Sequence, residues 1–312
     1  MHINLIARTN GVGIDADVTL LKKALEKLGY EITVSHSRSR GLIGRVLGKK
    51  NIFDANIFLE RTFPNWFNAS PINLLIPNQE RFPKRHLNRL KKIDYVLCKT
   101  RHAEEVFSKY GASTKYIGFT SKNVFLNDQE TSYQRFFHLA GKSTLKGTET
   151  ILSLWEKHPE WPQLTLVQHK ENAPASVSEN VTLISERLSE GDLSKLTNEI
   201  GIHICTSLSE GWGHYIVEGM SCEAVVVTTE APPMNELVAG QRGITIPYHK
   251  SESRHLGTNY YVDKGKLENE IETLIAMSDK DKLSIGIKAR SWYLENDTNF
   301  HQNIITVMDE VL

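Results

Sequence analysis

Two glutamates bracket a glycine-rich run in the second half of the chain. Glu210 opens the run EGWGHYIVE, and Glu218 closes it. Two glycines within three positions favour a tight loop in which the backbone comes close to a ligand. Ionised carboxylates are strong hydrogen-bond acceptors for hydroxyl groups. The pair therefore suits a ligand with several hydroxyls, such as a sugar, although two glutamates at this spacing are also common on a solvated surface.

The same run leads into a predicted helix and then into a predicted strand. The letters YIVEGM have the apolar spacing of one helical face, and residues 224–227 form an apolar, mostly β-branched run typical of a buried parallel strand. The first N–H groups of a helix and its dipole attract anions. We therefore expect Gly213, His214 and Tyr215 to hold a phosphate. Phosphate and hydroxyl groups together describe a nucleotide-sugar.

A second loop has the composition of a diphosphate site. Residues 136–140 form a predicted strand, and the run GKSTLKG follows it with Lys142 and Lys146 between two glycines. Backbone amides in such a loop give direction, and lysines supply charge. The alternative is that both lysines are solvated loop residues.

The residue pattern of the N-terminal half predicts a strand, a glycine-containing loop, a helix and a second strand, in that order. Residues 3–7 and 31–35 are the strands, and residues 15–28 are the helix. This order is that of a Rossmann-type half, but position 16 is alanine and the dinucleotide fingerprint is incomplete, so no NAD site is predicted. Asp15 and Asp17 have the spacing of a metal–nucleotide pair. Because both fall at the start of a helix, cap and dipole interactions explain them, and we predict no metal site.

The runs EGWGHYIVEG and APPMNEL resemble the retaining glycosyltransferases of the GT-B fold, whose E-x7-E signature is matched by Glu210 and Glu218. This group includes sucrose synthases and bacterial mannosyl- and glucosyltransferases, and the resemblance is to its family-four type. It implies an α/β protein with two facing Rossmann-like domains and a C-terminal helix that crosses back to the first domain. The expected boundaries are 1–130 for an acceptor-side domain, 131–290 for a donor-binding domain and 291–312 for the crossover helix.

The resemblance also implies roles for particular residues. Glu210 would fix the sugar hydroxyls, Lys146 and Lys142 would stabilise the leaving diphosphate, and Glu218 would bind the ribose diol. The remaining donor contacts are Gly11 and Gly13 beside the diphosphate and sugar, and Arg187 and Leu188 beside the base. Transfer would retain the anomeric configuration and would need neither a cofactor nor a metal, with the diphosphate taking the acceptor's proton.

The acceptor side is less defined. A predicted strand at residues 72–76 ends in PNQE, where many members of the family carry a histidine that this chain lacks. The available groups are Asn78, Gln79, Glu80 and Arg81. Two basic stretches, residues 35–51 with Arg45 and residues 81–92, are predicted to contact the acceptor or to be solvated surface.

Net charge divides the chain into two halves. Up to Arg135 there are 22 basic and 12 acidic residues, a balance of +10, and the remainder has a balance of −10. The basic half is expected to attract an anionic partner, such as an anionic membrane or glycolipid, or alternatively DNA. A saccharide or lipid-linked saccharide is the expected acceptor. An alternative acceptor is a hydroxymethylated DNA base. The alternative functions are a sugar-nucleotide epimerase of the same fold and a sugar-nucleotide binding protein without catalytic activity.

Composition sets the remaining bounds. Hydrophobic residues make up 40% of the chain and charged residues 24%, as in globular proteins. No apolar run is long enough for a transmembrane segment, and the start lacks a signal-peptide pattern. Three scattered cysteines fit a reducing compartment. We therefore expect a cytoplasmic protein, with the basic half suited to peripheral contact with a membrane.

Overall fold

The computed structural model describes residues 1–8, 13–40 and 51–312. Its contacts divide the chain into two compact units. Unit 1 comprises Met1–Ser121, Ser253–Thr258 and Asn296–Leu312, and unit 2 comprises Lys122–Glu252 and Asn259–Glu295. Gly11 and Arg45, both predicted to bind ligands, lie outside the described residues.

Unit 1 is built on a six-stranded parallel sheet with the strand order β2-β1-β3-β4-β5-β6. Its strands are β1 (His2–Ala7), β2 (Glu31–His36), β3 (Ala55–Glu60), β4 (Ile72–Pro77), β5 (Tyr95–Cys98) and β6 (Thr114–Tyr116). The central strands are almost continuously apolar and buried, as expected for a parallel sheet covered on both faces. Phe58, Phe82 and Phe107 are fully buried in the core beside this sheet.

Among the described residues of unit 1, two α-helices and three 3₁₀ segments connect these strands. The α-helices are α1 (Gly13–Lys27) and α2 (Arg101–Ser108), and the 3₁₀ segments are Pro64–Trp66, Gln79–Arg81 and Lys84–Lys92. Thr100 caps α2, accepting a hydrogen bond from the backbone N–H of Ala103. Most of the basic stretch at residues 81–92 forms the third of these 3₁₀ segments.

Unit 2 contains a second six-stranded parallel sheet, with the strand order β12-β11-β10-β7-β8-β9. Its strands are β7 (Ser132–Gly141), β8 (Leu164–Gln168), β9 (Val181–Ile184), β10 (Ile200–Cys205), β11 (Val225–Thr229) and β12 (Ile244–Ile246). The order has the form of the doubly wound dinucleotide-binding sheet, in which it reverses between the first strand and the fourth, here β7 and β10. The predicted α/β class and the pair of Rossmann-like domains are confirmed.

The helices of unit 2 follow its strands. They are α3 (Thr148–Lys157), α4 (Glu190–Glu199), α5 (His214–Ser221), α6 (Met234–Leu237) and α7 (Lys264–Ala276). A final long helix, α8 (Asp279–Val311), begins in unit 2, and its residues from Asn296 onward belong to unit 1. In unit 1, Phe300 of this helix is buried in edge contact with Phe119 at a ring-centroid distance of 5.3 Å. Across the described ranges, no helix combines the length and apolar character that crossing a bilayer requires.

A two-stranded hairpin follows β12 and was not predicted from the sequence. Its strands are β13 (Tyr248–Arg254) and β14 (Gly257–Val262). Its tip, Ser253–Thr258, belongs to unit 1 although the residues on either side belong to unit 2. β13 is polar throughout and mostly exposed, so it lacks the alternation of apolar and polar residues that signals a strand.

Candidate functional site in unit 2

Sheet topology brings the two predicted ligand loops of unit 2 together. The lysine-bearing loop follows β7, and the glycine-rich loop follows β10. These strands are hydrogen-bonded neighbours, pairing Ile202 with Phe136 and His203 with Phe137. In open α/β sheets, ligands bind at the carboxyl ends of the strands where the order reverses. Both loops therefore lie at the expected place for a ligand.

Backbone contacts lock the two loops against each other. The Leu208 N–H donates to the carbonyl of Leu145 at 2.9 Å, and the Thr206 hydroxyl donates to the carbonyl of Lys146 at 3.2 Å. Gly147 has a left-handed φ of 73°, and a Cβ there would lie 2.5 Å from the Thr206 carbonyl oxygen. Only glycine allows this close approach, so the second glycine of GKSTLKG serves the contact between the loops.

Lys146 and Glu210 form a partly buried ion pair at this junction. Nζ of Lys146 lies 2.5 Å from Oε1 of Glu210, and each side chain is 16% exposed. The hydroxyl of Ser207 donates to the same carboxylate oxygen at 2.5 Å. The structure thus joins two residues that the sequence predicts as catalytic, and it adds Ser207, which carries no signal in the sequence beyond its place in a loop.

Tyr215 lies beneath this pair. The Lys146 ammonium sits 3.6 Å from the centroid of the Tyr215 ring, and the phenol oxygen lies 2.6 Å from Oγ of Ser207. Burial raises the pKa of Tyr215 well above its ordinary value, so the phenol stays neutral at physiological pH. The ring face supports the lysine through a cation–π contact, and the phenol helps to orient Ser207 and, through it, Glu210.

Helix α5 starts beside the ion pair. Gly213, at φ 105°, precedes its first turn, and no side chain caps this end. Glu218, one turn beyond His214, is half-buried; burial raises its pKa, while the charges of His214, Lys122 and Lys146 oppose the rise. Lys146, the start of α5 and the Glu218 carboxylate are therefore close enough to influence one another.

Two buried histidines support the strands under the loops. His138 on β7 has Nδ1 2.7 Å from the Ile204 carbonyl and Nε2 2.9 Å from the Thr148 hydroxyl. His203 on β10 has Nε2 2.8 Å from the Ile200 carbonyl. Burial lowers the pKa of each to about 4, so both are neutral scaffold residues.

The other residues predicted to contact the donor lie in different surroundings. Lys142 and Arg187 are exposed, and the side chain of Leu188 packs with the cluster that contains Phe137 and Val167. Gly13 starts α1 in unit 1, and a Cβ there would meet nothing within 4 Å. Among the described residues, no hydrogen bond or ion pair joins Lys142, Arg187 or Leu188 to the Lys146–Glu210 pair, and their predicted roles stay predictions.

The four acceptor-side residues follow β4 in unit 1. Gln79 and Glu80 are buried, Asn78 is half-buried and Arg81 is exposed. The Asn78 N–H donates to the Glu60 carbonyl at 3.3 Å, which ties the end of β4 to the end of β3. Arg81 is the member of this group that a ligand reaches most easily.

Residues with metal-ligand character lie elsewhere. His158, Glu268 and Glu272 form the group among the described residues whose ligand atoms lie within 4.8 Å of one another, but Glu268 is already engaged by Lys157 at 2.5 Å and by His158 at 2.7 Å. Asp17 of the D-x-D pair is buried and accepts from Nζ of Lys99 at 3.0 Å. That ion pair gives Asp17 a structural role.

A comparison with protein-family models bears on the predicted enzyme class. Residues 169–273, which include the glycine-rich loop and α5, match the family model for glycosyl transferases group 1. This part of the chain is therefore similar to the glycosyltransferases of that group. The predicted enzyme class is confirmed by this match, whereas a comparison with curated protein sequences gives no match.

Solved structures show the same fold over the whole chain. Anabaena HepE in complex with UDP and glucose has a TM-score of 0.74 at 15% identity, covering 99% of this chain and 100% of that one. Sucrose-phosphate synthase from Thermosynechococcus elongatus has a TM-score of 0.76 at 13% identity, covering 99% and 98%. A structure described as trehalose-6-phosphate from E. coli bound with UDP-2-fluoro glucose has a TM-score of 0.69 at 11% identity, covering both chains fully. At these identities the likeness concerns the fold, and the predicted GT-B architecture is confirmed.

Proposed function

We propose that this glycosyltransferase moves a sugar from a nucleoside diphosphate sugar to an acceptor hydroxyl, with retention of configuration and without a metal. The observation that carries the proposal is the meeting of Lys146, Glu210 and the start of α5 at the strand reversal of unit 2. The match of this region to glycosyl transferases group 1 supports it. So does the UDP seen with the similarly folded HepE.

Lys146 and Glu210 have complementary tasks in this proposal. Before the donor binds, the ion pair and the Tyr215 ring hold the lysine in place. The arriving diphosphate draws the ammonium toward its own oxygens, and Glu210 becomes available to accept hydrogen bonds from the sugar hydroxyls. Lys146 and the amides at the start of α5 then stabilise the negative charge that develops on the diphosphate as it leaves. Glu218 binds the ribose diol.

The reaction exchanges one bond at the anomeric carbon for another. The bond between that carbon and the diphosphate oxygen breaks, and the acceptor oxygen bonds to the same face of the sugar. The acceptor's proton passes to the departing diphosphate. Because the lysine and the amides supply the electrostatic stabilisation, no divalent metal is required. A saccharide or lipid-linked saccharide is the proposed acceptor.

The proposal is tested by screening UDP-, GDP- and ADP-sugars with the full-length chain. Nucleoside diphosphate release is followed, products are identified by mass spectrometry, and their anomeric configuration is read by NMR. Lys146→Ala should reduce turnover by about two orders of magnitude or more, whereas Lys195→Ala, an exposed lysine on α4, should leave it unchanged.

Each part of the proposal has its own contrary result. Equal turnover by Lys146→Ala and the unaltered protein would contradict the assignment of the site. An inverted product would contradict retention. Loss of activity with a chelator would restore a metal to the mechanism, and donor conversion without any acceptor would identify an epimerase.

A further inference from the structure

Arginines of unit 1 gather where two neighbouring strands end. Arg61 directly follows β3, and Arg81 lies a few residues beyond the end of β4. β3 and β4 pair in register up to Glu60 and Pro77, so both chains leave the sheet at the same edge. β3 also neighbours β1, and the strand order of this sheet reverses between them. In open parallel sheets this edge is where ligands bind.

The tip of the β13–β14 hairpin adds a third chain segment to this edge. The Leu256 N–H donates to the Gln79 carbonyl at 3.2 Å. A Cβ on Gly257 would lie only 3.0 Å from Cα of Glu80, so glycine allows the tip to lie directly against the segment that carries Arg81. Arg254 and His255, at the same tip, are thereby placed next to the segment that carries Arg81.

Two histidines lie within the electrostatic influence of these cations. Partial desolvation of the ring, and then the charges of Arg254, Arg61, Arg81 and Arg85, lower the pKa of His255. Burial, followed by the charges of arginines 89, 85 and 61 and of His255, lowers the pKa of His86 to about 4. Arg61 and Arg85 act on both rings, and Arg254 and Arg81 act on His255, which agrees with the backbone contacts that bring the hairpin tip to this edge. We call Arg61, Arg81, Arg85 and Arg254 the arginine cluster.

The charge of the arginine cluster is poorly balanced within the described part of the chain. Arg61 pairs with Glu60, but no described carboxylate forms an ion pair with Arg81, Arg85 or Arg254. Arg81, Arg85 and His255 are exposed. Adjacent positive charges repel one another and favour the binding of an anion. Guanidinium groups match phosphate in particular, because their planar donors make paired hydrogen bonds to its oxygens.

We propose that the arginine cluster, with His255, binds a phosphate group carried by the acceptor. The assignment of the phosphate to the acceptor rests on the proposed function, whereas the binding of phosphate does not. The acceptor phosphate can belong to a soluble phosphorylated sugar or to a lipid headgroup, since both offer the same oxygens to the arginines. In either case the cluster would hold the acceptor by its charge, away from the hydroxyl that reacts.

The first experiment measures binding of inorganic phosphate to the full-length chain by calorimetry, with UDP binding as an independent readout of unit 2. Arg81→Gln combined with Arg85→Gln should weaken phosphate binding about tenfold or more, because each substitution removes a charge-assisted hydrogen bond. UDP binding should not change. Lys23→Gln, at an exposed lysine on α1, controls for the loss of a single charge outside the cluster and should bind phosphate normally.

A second readout keeps the test decisive if the double variant folds poorly. Phosphate next to His255 should raise the pKa of that imidazole, which NMR titration of the unaltered protein measures directly. Arg254→Lys, which keeps the charge but loses the paired donors, should weaken phosphate binding and leave UDP binding intact. Undiminished phosphate binding in these variants, or an unchanged His255 pKa, would overturn the proposal.

Further measurements distinguish a soluble acceptor from a lipid headgroup, and this proposal from the proposed function. Preference for a phosphorylated over an unphosphorylated sugar acceptor, lost in the double variant, assigns a soluble acceptor. Sedimentation with phosphatidylglycerol but not phosphatidylcholine vesicles, lost in the same variant, assigns a headgroup. Retention on duplex DNA alone overturns the acceptor assignment. Phosphate binding without any sugar transfer would contradict the proposed function and leave the phosphate site standing. Transfer to a phosphorylated acceptor that the arginine substitutions do not change would contradict the acceptor assignment and leave the proposed function standing.

Discussion

The side-chain nitrogen of Lys146 lies 2.5 Å from a carboxylate oxygen of Glu210, across two loops whose residues are 64 positions apart in sequence. Both side chains are largely shielded from solvent. Removing either partner leaves the other charge in a partly buried place without compensation. The pair is thus a coupled unit, and its two members cannot be assessed separately.

The first prediction concerns this coupling. Lys146→Ala and Glu210→Ala should each lower kcat by about two orders of magnitude or more, and the double variant should lose much less than the product of the two effects. A double-mutant cycle on kcat measures this. Glu179→Ala, which removes an exposed carboxylate of unit 2, is the control. Fully multiplicative effects would show that the two residues act independently.

The ring of Tyr215 and its hydroxyl should contribute differently. Tyr215→Phe keeps the ring beneath Lys146 and removes the contact with Ser207, so a small loss of activity is expected. Tyr215→Leu also removes the cation–π contact that holds Lys146. Losing about 1 kcal/mol of stabilisation there should lower kcat a further several-fold. Kinetics of the two variants with a saturating donor give the comparison. Equal losses would mean that the ring face does not support the lysine.

Glu218 should make donor binding depend on pH. Its pKa is raised, chiefly by burial, so it is protonated at pH values where an exposed glutamate is already ionised. A carboxylate accepts ribose hydroxyls better than a carboxylic acid. Donor affinity should therefore increase as the pH rises through the pKa of Glu218.

Calorimetric titration with UDP across mildly acidic to neutral pH tests this dependence. Glu218→Gln should bind UDP more weakly at neutral pH and should lose the dependence on pH. A variant that keeps the same pH dependence would assign the titration to another group.

Much of the fold follows from local sequence. Residues 3–7 and 72–76 are mostly apolar runs followed by polar or glycine-containing stretches, which is why β1 and β4 are found close to the predicted positions. The meeting of Lys146 with Glu210 depends on a further fact, the pairing of β7 with β10. Local patterns do not specify which strands pair, so the sequence predicts both residues as ligands without predicting their contact.

Other features of the two sites carry no local signal. Ser207 is one serine among several in a loop, and its role appears only once Glu210 and Tyr215 are placed around it. The polar β13 lacks periodicity, so the position of Arg254 and His255 beside Arg81 could not be predicted. The residues after Pro83 suggest a helix by composition, but the structure has a 3₁₀ segment there.

Gly147 should not tolerate even alanine. A Cβ would lie 2.5 Å from the Thr206 carbonyl, in a left-handed conformation that side chains disfavour. Gly147→Ala should therefore push apart the loops that carry Lys146 and Glu210, lowering both the thermal stability and kcat. Gly191→Ala on α4, where a Cβ approaches nothing closer than 3.8 Å, is the matched control and should be neutral or slightly stabilising. Thermal unfolding and donor turnover of the two variants decide the matter.

The buried histidines His138 and His203 should make unit 2 sensitive to acid. Each has a pKa of about 4 in the folded protein, against an ordinary value of 6.5. As the pH falls from 6.5 to 4, the two histidines therefore become protonated in the unfolded chain while they stay neutral in the folded chain. The full contribution to stability is present above pH 6.5. Between pH 7 and pH 5, each histidine should lower the free energy of unfolding by about 2 kcal/mol.

Urea unfolding at these two pH values, followed by tryptophan fluorescence, measures the loss. His138→Gln retains groups that can bond the Ile204 carbonyl and the Thr148 hydroxyl, and should reduce the difference between the two pH values even if it lowers stability at pH 7. His249→Gln, at a more exposed position on β13, should leave the difference unchanged. If His138→Gln keeps the whole pH dependence, the acid sensitivity arises from other groups, and the neutral scaffold beneath the Lys146 loop would have to be reconsidered.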